Sequence, residues 1–150
     1  MKKLLFLFAL LPISLFAQES DLGNWWIYLG DKTINSKFNW HNEVQYRNYN
    51  FIGDTEQLLL RTGIGYNLSP RNNNLLLGYG FIQSEPYQEG TDRKLRIDEH
   101  RIYQQFILKQ LLSGIALQHR FRFEQRFIEQ DFKMRFRYFV AMNMPLTNKE

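Results

Sequence analysis

Three histidines, His41, His100 and His119, are the residues best suited to hold a metal or move a proton. They are widely separated, form no HExxH motif, and have no cysteine to join them, since the chain contains none. No metal site and no cofactor are expected. His41 shares a face with Glu43 two residues on, which suits a local hydrogen-bonding pair, whereas His119 interrupts an apolar face. A serine nucleophile is the other classical possibility for a lipid hydrolase or acyltransferase. Ser84 and His100 flank the longest loop, with Asp98 or Glu99 as orienting partners, and Ser113 is a second loop serine. No GxSxG elbow activates either serine, so Ser84 and His100 remain weak catalytic candidates.

A denser set of chemical groups lies in LQHRFRFEQRF (117–127) and FKMRFRYF (132–139). Arginines interleaved with aromatics suggest a nucleic-acid surface. Parity argues otherwise. Leu117, Phe121 and Phe123 fall on one face and Arg120, Arg122 and Glu124 on the other. Phe132, Met134, Phe136 and Tyr138 likewise alternate with Lys133, Arg135 and Arg137. A turn centred near 128–129 sets Glu124 opposite Lys133 and Arg122 opposite Arg135, while a preceding strand brings Arg101 toward Glu124 and Glu99 toward Arg126. Glu43 and Arg61 occupy the same polar face further upstream, near Gly63, Gly65, Gly78 and Gly80, which leave space for long side chains. Charges in a narrow interior must be paired and hydrogen-bonded. The expected network is therefore Glu43, Arg61, Glu99, Arg101, Arg120, Arg122, Glu124, Lys133, Arg135 and Arg137, and no nucleic acid is expected as a partner.

The elements that position these residues share a period of two. Seven strands are predicted: 24–30 with an extension toward 34, 37–47, 55–68, 74–82, 99–109, 114–124 and 131–142. Short turns at 34–37, 51–54, 69–74, 111–114 and 126–130, and a longer one at 84–94, join them into an antiparallel meander. Segments of this length, apolar on one face and polar or glycine-rich on the other, suit a tilted membrane crossing in a barrel. Trp25, Trp26, Trp40, Tyr46, Tyr66, Tyr79 and Tyr138 are placed as interfacial aromatics.

The N-terminus, MKKLLFLFALLPISLFAQES, has two lysines, an apolar run broken by Pro12, and a small residue, Ala17, before a polar stretch. This predicts a signal peptide over 1–17 and export of a β-barrel domain over 18–150. Removing the leader takes Lys and Arg from 19 to 17 against 15 Asp and Glu, so half of the formal charge of +4 belongs to the leader. An aromatic content of 16% with 23% charged residues excludes a disordered chain.

The segments NWWIYLG, NEVQYR, LLLRTGIGYNLSP, LLLGYGF, DEHRIYQQF, LQHRFRFEQRF and MRFRYF followed by PL resemble an uncharacterised family of bacterial outer-membrane barrels, known mainly from Bacteroidetes as domain of unknown function 2490. The resemblance covers most of the chain after the leader and implies the fold and an outer-membrane location. It carries no catalytic residue. Closed bacterial barrels have an even number of at least eight strands, so seven predict an incomplete barrel, truncated at its C-terminus.

The functional expectation is an all-β outer-membrane barrel, structural or passing a small solute through an Arg/Glu-lined interior, and not an enzyme. Its partners would be outer-membrane lipid, periplasmic chaperones, the barrel-assembly machinery and a small solute in the lumen. A lipid-modifying enzyme and a secreted soluble barrel binding a small ligand are the alternatives.

Overall fold

Alternating apolar and polar side chains favour extended chain, because only a period of two keeps each chemistry on its own face. The computed structural model describes residues 22–69 and 73–145. The leader expected over 1–17 lies outside them. The described chain forms β1 (Asn24–Thr33), β2 (Phe38–Asn48), β3 (Thr55–Asn67), β4 (Asn74–Ser84), β5 (Ile97–Leu112), β6 (Ile115–Ile128) and β7 (Asp131–Asn143). They make one sheet in the order β1-β2-β3-β4-β5-β6-β7, and every neighbouring pair is antiparallel. No pairing joins β1 to β7 among the described residues, so the meander is not closed into a ring.

β5 and β6 run furthest beyond their predicted limits. β5 and β6 extend through 111–112 and 126–128, because the hairpins that follow them are two-residue turns rather than longer loops. Ser113 and Gly114 adopt φ of 49° and 84°, the left-handed pair that matches a tight turn to strand twist. Glu129 begins the next turn at φ 52°. That turn sets the β6–β7 register two residues away from expectation. Glu124 faces Arg135, Arg122 faces Arg137, and Lys133 faces Arg126.

The sheet curls about a cavity of 1020 Å³ lined from all seven strands, from Trp25 and Asp31 on β1 to Arg135 and Arg137 on β7. Burial is inverted relative to a water-soluble core. Among the described residues, eight polar or charged ones are buried, against four apolar ones, Leu59, Leu76, Ile82 and Tyr103. The opposite face leaves Leu75, Leu77, Tyr79, Phe136 and Tyr138 exposed.

Glycines on β3 and β4 make room for particular neighbours. A Cβ on Gly78 would lie 2.2 Å from Cζ of Tyr103, so the tyrosine ring, not a guanidinium, fills that space. Over Gly80 it is the stem of Arg61 that approaches, its Cγ being 3.2 Å from where a Cβ would stand. Gly65 lies beneath Asn39 and Asn74, which hydrogen-bond at 2.8 Å across the intervening strand.

At one end the loop 49–54 meets the loop 85–96. Tyr87 bridges to Lys94, and Lys94 donates to the backbone carbonyl of Thr55 at 2.7 Å while pairing with Asp54. Tyr87 donates its hydroxyl to Asp54 at 2.7 Å, and the rings of Tyr49 and Tyr87 pack 5.1 Å apart.

Candidate functional site

The concave face holds three glutamates, each gripped by arginines from its own or neighbouring strands. Glu43 on β2 accepts two hydrogen bonds from Nη1 of Arg61, directly opposite on β3, at 2.9 and 3.0 Å. Glu99 on β5 lies between two guanidinium forks. Arg101 approaches it at 2.5 and 2.9 Å, and Arg126 on β6 at 2.5 and 2.8 Å. Paired parallel N–H donors of this kind are specific to arginine.

Glu124 is the hub. It has no exposed surface, and its Oε2 accepts from Nε of Arg135 at 3.0 Å and Nη2 of Arg137 at 2.9 Å, both on β7. Arg101 and Arg122 approach it at 4.0 and 3.8 Å. A carboxylate removed from water is tolerated only when charge and hydrogen bonds replace the lost hydration. Here four guanidinium groups surround one carboxylate.

The remaining expected members are held differently. Arg122 gives its guanidinium to the side-chain oxygen of Gln105 at 2.8 and 2.6 Å and lies over the Tyr103 ring at 4.9 Å. Arg120 stacks on Phe139 at 4.8 Å and forms no ion pair among the described residues. Lys133 is mostly exposed and reaches Asp131 at 3.7 Å, so it stands outside the network. Its expected partner, Glu124, is taken by Arg135 because of the tighter β6–β7 turn.

The weak catalytic candidates are not assembled. Ser84 donates no proton to a histidine; its Oγ accepts from Gln57 at 2.9 Å on the concave side. His100 neighbours Arg101, a concave residue, and so points to the convex face, where the Tyr79 hydroxyl lies 2.6 Å from its Nδ1. Ser84 and His100 are thus on opposite faces of the sheet. His119 repeats the convex arrangement, 2.7 Å from the hydroxyl of Tyr138. These contacts explain how two histidines and two tyrosine hydroxyls lie on an apolar face, since each satisfies the other. Tyr79 and Tyr138 lie in the middle of β4 and β7 rather than at the strand ends. Trp25 departs from the aromatic set as well, because it lines the cavity beneath Arg47 at 4.1 Å. His41 pairs mainly across the strand with Asp31 at 2.9 Å, with Glu43 at 3.8 Å. No group of three His, Cys, Asp or Glu residues arranged for a metal occurs among the described residues.

Sequence reasoning missed Tyr103, Gln105 and the ladder of Asn39, Asn67 and Asn74. Their parity placed them on the concave face, but only the register shows which of them meet. Asn74 donates to Asn39 at 2.8 Å and to Asn67 at 3.0 Å.

The class defined by this geometry is an all-β antiparallel meander with an apolar convex face and buried Arg/Glu ion pairs lining its interior. The chain belongs to the family described as protein of unknown function (DUF2490), whose model matches residues 22–150. No curated protein and no solved structure matches it.

Proposed function

We propose that this protein is an outer-membrane β-barrel, exported through a cleavable leader, with a structural or small-solute passage role. The observation that carries the reading is the inverted burial: polar and charged residues fill the concave side, and large apolar side chains are exposed on the other. An apolar exterior with a polar, charge-paired interior is what lipid outside and water or protein inside require. Strands of 10 to 16 residues are long enough for a tilted crossing. In a bilayer the free backbone groups of β1 and β7 also need partners, so the working form has a completed ring. Outer-membrane lipid is then the first partner, with periplasmic chaperones and the barrel-assembly machinery acting before insertion.

The test is fractionation of the expressed full chain, followed by gel mobility of heated and unheated samples. Recovery from the outer-membrane fraction only with detergent, and a heat-dependent mobility shift, is the expected result. A protein that stays soluble without detergent and migrates identically with and without heating contradicts the reading.

A further inference from the structure

The geometry points to a cavity that takes small, multiply charged anions of the phosphoryl class, an inference that rests on the barrel reading above. Among the described residues, eight arginines and lysines line the cavity, against two carboxylates, Asp31 and Glu43. Several of these cations are already committed: Arg61 to Glu43, Arg101 to Glu99, and Arg135 and Arg137 to Glu124. Arg47, Lys109 and Arg120 form no ion pair among the described residues, and Arg122 comes no nearer than 3.8 Å to a carboxylate.

The uncommitted cations are not gathered at one mouth. Arg47 lies at the end of β2 beside loop 49–54, whereas Lys109 and Arg120 lie toward the β5–β6 turn, with Arg122 between. Positive charge therefore extends along the whole concavity. Three of the cavity-lining guanidinium groups also have a buried donor with no partner among the described residues, Nε of Arg47, Arg61 and Arg137. Unpaired buried donors are costly, and an anion oxygen or water must serve them. Like charges sharing a cavity with low-dielectric walls focus an attractive field on an entering anion. Guanidinium groups then grip phosphate oxygens through paired N–H donors. The volume, 1020 Å³, matches a small-molecule site. The anion could be a free solute or the headgroup of a membrane lipid, and the same side chains would recognise either.

Trp25 under Arg47 provides a built-in reporter. The full chain, refolded in uncharged detergent, is titrated with pyrophosphate and with chloride at equal ionic strength while tryptophan emission is followed. In a parallel arm, micelles are doped with phosphatidic acid. A saturable change with pyrophosphate but not chloride is expected, identifying a free solute; saturation only with phosphatidic acid assigns the same chemistry to a headgroup. Arg120→Gln, which leaves the Arg47–Trp25 reporter intact, should weaken binding about tenfold, the loss of one charge-assisted contact, and Arg120→Lys should restore most of it. Both substitutions lie outside the ion pairs, and heat-dependent gel mobility checks that each variant is folded. No saturable response in either arm from heat-modifiable protein overturns this inference and leaves the barrel reading standing. Protein with no heat-modifiable form removes both.

Discussion

Glu124 concentrates the energetics of the interior in one side chain. It is wholly buried, its Oε1 has no hydrogen-bond partner, and its Oε2 serves two arginines of β7. Such an arrangement is one-sided. Replacing the carboxylate leaves Arg122, Arg135 and Arg137 facing one another without their counter-charge, while Arg101 keeps Glu99, at a cost of about 3–5 kcal/mol. Glu124→Gln, which preserves shape, should lower the urea concentration or temperature at which the folded, heat-modifiable form is lost. Arg135 and Arg137 are more than a third exposed, so removing either one should cost far less. Gly78 is a second sensitive position. An added methyl would meet the Tyr103 ring at 2.2 Å, and Gly78→Ala should cost about 1–3 kcal/mol in the same unfolding measurement. At this scale parity was legible in the sequence, so the charged face could be named. The pairing within it was not, because a turn one residue later shifts every β6–β7 partner by two.

Among the elements, strands were easier to read than the joints between them. All seven follow from alternation, but the ends of β5 and β6 do not, because Leu111, Leu112, Phe127 and Ile128 resemble turn flanks until a two-residue hairpin is recognised. The contact between loops 49–54 and 85–96 was invisible in the sequence, since its residues are far apart and carry no motif. Its centre is Asp54, whose carboxyl the Lys94 ammonium and the Tyr87 hydroxyl hold below its ordinary value of 3.8. A depressed folded value means the contact contributes fully above the unfolded value and is lost as pH falls through the folded one. Amide protection at Gln88 and Leu95, whose N–H groups bond Arg93 and Pro86, should therefore be constant near neutrality and decline only in acid below about 3.8. Asp54→Asn should produce the same loss of protection at neutral pH. Unchanged exchange in both experiments would mean that the loops are held without the Asp54 charge, by the Lys94–Thr55 hydrogen bond and the packing of Tyr49 and Tyr87.

For the whole molecule, the defining property is a sheet whose two faces exchange the usual roles of inside and outside. Water alone would not favour Leu75, Leu77, Tyr79, Phe136 and Tyr138 on the exposed side of a sheet that buries glutamate and arginine. The proposed membrane setting would remove that conflict, and the convex His100–Tyr79 and His119–Tyr138 pairs would carry their own hydrogen-bond partners into lipid. Because the chain has no native cysteine, single cysteines can be introduced and spin-labelled one at a time along β4 in lipid vesicles. Labels at Leu75, Leu77, Tyr79 and Phe81 should collide readily with oxygen dissolved in the bilayer and poorly with a water-soluble nickel chelate, while labels at Leu76 and Ile82 should be shielded from oxygen. High nickel accessibility at the four convex positions, with no alternation along the strand, would contradict the barrel reading.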